Sequence, residues 1–144
     1  MGLYKRMLLV VDLTEDSLEI GRRAGELARC CGAELALLHV VEYVPVEPMG
    51  ETLLPAVQIE EELVVRARQR LADLASSLGL AEDATQTVAT GNIKAEIVRV
   101  AQEQQADLIV LGARERHGLS IMVNFTEDTV LHAASCDVLA VRLR

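Results

Sequence analysis

Aromatic residues are nearly absent from this 144-residue chain: there is no Trp, one Phe and two Tyr. A core cannot be built here on large rings, although half of the residues are hydrophobic. It must be filled by Leu, Val, Ile and Ala, which suits helices laid on a buried sheet. Basic charge is also short, with 14 Lys and Arg against 22 Asp and Glu and a net charge of −8. No basic run exceeds the pair Arg22 and Arg23. That speaks against nucleic acid and against anionic membrane surfaces as partners. It leaves nucleotides open, because backbone N–H groups bind phosphate without Lys or Arg. Cysteine is scarce and odd in number, with Cys30 and Cys31 adjacent and no CxxC spacing. A reducing, cytoplasmic setting is expected from this. No run approaches the roughly 20 apolar residues of a membrane span. The apolar run at residues 7–11 is cut by Asp12 too early for a secretory signal.

What the chain does contain is alternation. Residues 7–11 (MLLVV) and 35–41 (LALLHVV) are continuous apolar runs, as strands buried on both faces should be. Between them Ile20, Ala24, Leu27, Ala28 and Cys31 follow helical spacing, and Gly32 ends the helix. Residues 42–56 hold all three prolines and read as a long loop. A long helix follows, with Ile59, Leu63, Ala67, Leu71, Leu74 and Leu78 on one face and charged residues on the other. Residues 85–90 form a weaker strand suited to an edge, and Gly91-Asn92 turns into a helix carrying Ile93, Ile97, Val100 and Ala101. Residues 108–111 (LIVL) are a buried strand ended by Gly112. A short helix over 126–134 and a last strand over 136–143 complete the pattern. The order β-α-β-α-β-α-β-α-β implies a single α/β domain spanning residues 1–144, built of parallel βαβ units with right-handed crossovers. Ligands of such sheets sit beyond the carboxyl ends of the strands, which directs attention to Asp12, Val40, Gly91 and Gly112.

Five segments, taken in order, resemble the universal stress protein family. They are YKRMLLVVD at 4–12, LLHV at 37–40, Gly91 opening a helix, ADLIVLG at 106–112 and SCDVLAV at 135–141, where many members have Pro in place of Asp137. The resemblance implies a Rossmann-like domain of the adenine nucleotide alpha hydrolase-like kind. Its sheet would be five-stranded and parallel, in the order 3-2-1-4-5, with helices on both faces. It also implies a homodimer formed through the last strand, at Val138, Ala140 and Arg142, and further protein partners of unknown identity.

ATP-binding members of that family carry G-x2-G-x9-G-[ST] after the fourth strand. Glycines let backbone approach phosphate oxygens, and the final pair offers N–H groups and a hydroxyl at a helix start. Here Gly112 fills the first position, Glu115 takes the second, and the final pair is Phe125-Thr126 or, counted back from the last strand, Asn124-Phe125. Neither register supplies the later glycines. Glu115 also puts a carboxylate where phosphate would lie, a repulsion of about 1 kcal/mol at ~4 Å in water and more near a surface. This departure resembles the non-ATP-binding, universal stress protein A-like branch. The expectation is therefore a non-catalytic stress-response module with no cofactor and a residual nucleotide pocket at Asp12, Val40, Gly112, Gly118 and Thr126. An ATP- or adenine-nucleotide-binding switch is the alternative.

Each of these residues also has a plainer role. Asp12 can cap the first helix, Val40 can be core, Gly112 can mark a turn, and Thr126 can be an N-cap with Glu127 and Asp128 behind it. His39 in its strand reads as a packed, hydrogen-bonded histidine. His117 and His132 lack ligand spacing, so no metal site is expected. Cys30 and Cys31 read as packing residues. No Ser-His-Asp, HExxH or Walker pattern is present, and no catalytic residues are assigned. A phosphoacceptor receiver domain would need an Asp ending the third strand, where Thr90-Gly91 stands. An adenylating enzyme would need a glycine-bearing loop in place of DLTEDS at 12–17.

Overall fold

The computed structural model describes residues 2–42, 53–114, 130 and 132–143. Five strands and three helices are laid out as β1 (Arg6–Val10), α1 (Ser17–Cys31), β2 (Glu34–Glu42), α2 (Leu53–Ser77), β3 (Gln86–Gly91), α3 (Ile93–Glu103), β4 (Leu108–Arg114) and β5 (Asp137–Leu143). All strand pairs are parallel, in the order β3-β2-β1-β4-β5. This is the expected α/β sheet of order 3-2-1-4-5. The chain winds outward from β1 to β3, then returns to the other side of β1 for β4. Such a reversal, at the carboxyl ends of β1 and β4, is where ligands of parallel sheets sit.

Period-2 alternation along each central strand divides the core into two layers. Met7, Leu9 and Leu37 face α1 and α2, packing with Ile20, Ala24, Leu71 and Leu74. Leu8, Leu38 and Ile109 face α3, packing with Ile97, Val100 and Val130. Gly21 sits where α1 crosses Leu78, and a Cβ there would come within 2.7 Å of the Leu78 side chain. Residues 130, 132 and 133 are helical, in keeping with the expected short helix, whose other positions lie outside the described residues.

Helix ends follow local chemistry. Gly32 takes a left-handed conformation (φ 66°), and Ala33 N–H reaches back to the Ala28 carbonyl at 2.8 Å. At the end of α3 the same geometry is adopted by Gln105 (φ 55°), with Ala106 N–H on the Ala101 carbonyl at 2.9 Å. A non-glycine residue there is held by a long-range bond, since the Arg6 guanidinium donates to Gln105 Oε1 at 2.6 Å.

Three sequence expectations are corrected. The proline-rich stretch 42–56 is not loop throughout, because α2 begins at Leu53 and takes Pro55 into its first turn. Proline is tolerated there because the first-turn N–H groups have no partner within the helix. Gly112 does not end the fourth strand. β4 runs on to Arg114, with Gly112 paired to Val141, Ala113 to Arg142 and Arg114 to Leu143. The neighbouring β5 holds these positions in the ladder, so glycine here marks no turn. Cys30 is exposed and Cys31 half-exposed, so the pair does not belong to the core. They fall on the outward side of the last turn of α1, where helical spacing alone does not reveal depth.

Candidate functional site

The site is built from the loop that leaves β1. Val11 N–H still donates to the Leu38 carbonyl at 2.9 Å, and the Val11 carbonyl accepts from His39 Nδ1 at 2.8 Å. Because a carbonyl can only accept, Nδ1 carries the proton of this bond. The chain then breaks away from the sheet. Leu13 adopts φ 59°, a conformation costly for a branched side chain, while that side chain stays buried. Two anchors hold it there. Arg70 of α2 donates from Nη2 to the Leu13 carbonyl at 2.5 Å. Asp12 Oδ1 accepts from Thr14 N–H at 3.1 Å, Thr14 Oγ1 at 2.7 Å and Ser17 Oγ at 3.2 Å. The second Asp12 oxygen receives none of these bonds.

Asp12 is thus a turn-forming carboxylate rather than an N-cap. The N-cap residue is Asp16, whose side chain makes no capping bond. Partial desolvation raises the Asp12 carboxyl, but the donors of Thr14 and Ser17 outweigh it and the net shift is downward from the ordinary 3.8. Since the folded form holds its proton less tightly than the unfolded chain, ionised Asp12 stabilises the fold above pH about 4 and loses that contribution as the pH falls through its lowered value. Asp12→Asn is therefore expected to cost about 1 kcal/mol at pH 7, on the scale of side-chain caps. The gap to the parent should narrow as the pH is lowered below 4, as read by urea denaturation across that range.

Val40 is buried, 7% exposed, within the α3-side core. Register aligns Val10 with Leu38 and Leu9 with Val110. Extended past Val10, it brings Asp12 level with Val40 on one side and with Ala113, beside Gly112, on the other. By register, Asp12, Val40 and Gly112 all fall toward the carboxyl ends of the strands near the reversal point. Gly118 and Thr126, with Glu115 and Phe125, lie outside the described residues. At the end of β3, Gly91 (φ 133°) hands over to Asn92, whose Oδ1 accepts from Ala95 N–H at 3.0 Å and caps α3. Among the described residues no group of three His, Cys, Asp or Glu side chains is placed to hold a metal ion. No helix of the described residues is long and apolar enough to cross a membrane.

Two anchors were not singled out in the sequence. Arg70 reads as one more charge on the solvated face of a long helix. Asp107 accepts the Lys5 and Arg6 N–H groups at 2.8 and 3.1 Å and so starts β1 beside β4. Asp137 likewise gains a partner, accepting from the Tyr4 hydroxyl at 2.9 Å. That bond to a carboxylate pushes the Tyr4 phenol above its usual range. A carboxylate one residue before an apolar strand was the available signal for both acids.

A doubly wound parallel sheet with an acidic turn at its reversal point defines a Rossmann-like α/β protein. The universal stress protein family model matches residues 3–142. The chain belongs to the universal stress protein family. Universal stress protein A homolog 1 of Coxiella burnetii is 34% identical over 142 residues, covering 98% of each chain. Universal stress protein A homolog 2 of the same organism is 34% identical over 145 residues, covering 100% of this chain and 99% of its own. Among solved structures, universal stress protein UspA from Lactobacillus plantarum superposes with a TM-score of 0.77 at 24% identity, covering 96% of this chain and 98% of that one. A universal stress protein crystallised in complex with cAMP superposes with a TM-score of 0.65 at 22% identity, covering 96% of both chains.

Proposed function

We propose that this protein is a non-catalytic stress-response module, acting in the cytoplasm as a homodimer that engages partner proteins, with a degenerate nucleotide site. The observation that carries the reading is the stretch after Gly112. Glu115 and Phe125 or Asn124 stand where a phosphate-binding segment needs glycine. Asp12 supports it, since one of its oxygens is already committed to Thr14 and Ser17. Dimerisation is proposed through β5, one of the two edge strands, in the neighbourhood of Val138, Ala140 and Arg142. An edge strand with an unpaired outer side is a ready template for its two-fold mate.

A second reading, a regulatory switch that binds ATP or another adenine nucleotide, is favoured by one arrangement. Asp12, Val40 and Gly112 lie toward the strand ends, where such sheets take ligands. The solved relative in complex with cAMP belongs to the same fold. Calorimetry with ATP and magnesium separates the two. Millimolar or no affinity is expected, and a micromolar dissociation constant would replace the first reading with the second. A thermal-shift series gives the same answer independently, because ligand at 100 times its dissociation constant adds about 2.7 kcal/mol of stability.

A further inference from the structure

A cavity of about 720 Å³ opens at the amino ends of the strands, the end of the sheet opposite Asp12. It lies between the start of β2, the last turns of α1 and the connection from α2 to β3. Ala28, Ala33, Leu80 and Ala84 give it small apolar walls. Two cations, Arg6 and Arg29, and two acids, Glu34 and Asp83, share its rim.

β2 is longer than its neighbour here. The β2–β3 register starts at Leu37 opposite Gln86, and the last rung is Leu37 N–H on the Thr85 carbonyl at 2.9 Å. Before that, Ala84 N–H turns back onto the Ala81 carbonyl at 3.0 Å and the chain leaves the line of the strand. Glu34 N–H donates to Lys5 of the β1 side at 2.9 Å. Backbone groups alternate sides along a strand. Leu35, like Leu37, therefore aims its N–H and C=O away from β1, into the cavity it lines. Neither group has a partner among the described residues, although Leu35 is only 8% exposed. Backbone groups at such depth are paired in the great majority of native structures.

We infer that this groove is a docking site for an extended peptide segment of a partner protein, which adds one rung to the sheet by pairing with Leu35. An adjacent N–H and C=O on an open strand edge is what main-chain pairing needs, and flanking pockets for alternate side chains supply selectivity. The alanine-rich walls fit small apolar side chains. A rim with both signs of charge suits a peptide of mixed charge over a phosphate or another concentrated anion, which Glu34 and Asp83 would repel. The inference rests on the reading of the protein as an interaction module and names the kind of partner it takes.

The test uses the whole chain. In the free protein the Leu35 amide is expected to exchange with deuterium about tenfold or more faster than the Leu37 amide, because only Leu37 has a ladder partner. Random dodecapeptides displayed on phage are then selected on the immobilised protein, and the enriched sequences are synthesised. They are expected to bind with dissociation constants on the order of 10 μM, to slow exchange at Leu35, and to lose about tenfold or more in affinity to Ala84→Trp, which fills the groove. Arg29→Glu, an exposed rim change that leaves the walls intact, should alter peptide affinity in a salt-dependent way and covers the case in which Ala84→Trp does not fold. The proposal is overturned if Leu35 is as protected as Leu37 in the free protein, or if no peptide is enriched. It is equally overturned if the enriched peptides bind both variants as they bind the parent, or protect the β5 edge instead. Those results would leave the reading as an interaction module in place. A micromolar affinity for ATP, or a monomeric protein, would damage that reading and leave the Leu35 result untouched.

Discussion

Ala140→Pro is expected to convert the proposed homodimer to monomer at micromolar concentration while leaving the fold intact. β5 pairs with β4 on one side only. Which of its backbone groups face the open edge follows from alternation. The Lys5 carbonyl accepts from Glu34 N–H and Val11 N–H donates to the Leu38 carbonyl, so the odd-numbered residues of β1 serve β2 and the even-numbered ones serve β4. With Leu8 opposite Ile109, the residues of β4 that serve Leu8 are Leu108 and Val110, and the odd-numbered ones serve β5. With Ile109 opposite Val138, the groups that complete the β4 ladder are those of Asp137, Leu139 and Val141. Val138 and Ala140 then direct their N–H and C=O to the open edge. Alternation thus gives the backbone pairing of a dimer to Val138 and Ala140. Proline at 140 deletes an outward donor and none of the inner ladder, and edge strands tolerate it. Two-fold symmetry doubles the loss. A weakening of about a hundredfold, or about 2.8 kcal/mol, is expected by sedimentation or light scattering. Leu139→Pro is the contrasting variant: it removes an inner rung and should lower stability itself. A parent protein that is already monomeric would end the dimer proposal. A dimer unmoved by Ala140→Pro would place the interface elsewhere.

The second large effect is on stability. Ile109 has 0% of its surface exposed and sits on β4, flanked by β1 and β5 and covered by the α3 layer. Its cluster is built of aliphatic side chains such as Leu8, Leu38 and Ile97, with no aromatic ring among the described members. Ile109→Ala should cost about 2–5 kcal/mol, the range for truncating a fully buried aliphatic side chain. Leu63→Ala on α2, where the side chain is 46% exposed, should change stability by roughly 0.5 kcal/mol or less. Urea denaturation of both variants checks the pair. A loss under about 1 kcal/mol at Ile109 would contradict its place at the centre of the sheet.

Much of the fold was legible because buried parallel strands write themselves as apolar runs. LIVL at 108–111 and MLLVV at 7–11 mark β4 and β1 to within a few residues. The weaker strand at 85–90 is β3, one edge of the sheet, as its mixed pattern implied. Ends were harder to place. Gly112 and Pro55 are both local breakers, yet β4 continues past the first and α2 includes the second. In each case the neighbouring structure, a ladder with β5 or an unpartnered first helical turn, removes the penalty that local reasoning assigns. Of the candidate site, Asp12, Val40 and Gly112 drew attention because they lie at or near the ends of apolar runs, whereas Arg70 was lost among the other charges of its helix.

By itself the sequence determined the order of strands and helices, the aliphatic character of the core and the departure from glycine at 115, since all three are properties of spacing and residue type. The tertiary structure alone decided that Leu13 is left-handed and held by Arg70, that Asp12 makes a turn instead of a cap, that β4 reaches Arg114, and that Leu35 is left with an open rung. The reason is common to all four. Each depends on a hydrogen bond or ladder position made or missing between residues brought together by the fold, or on the exact point where one chain segment leaves another, and neither is recorded in the composition or period of any one segment.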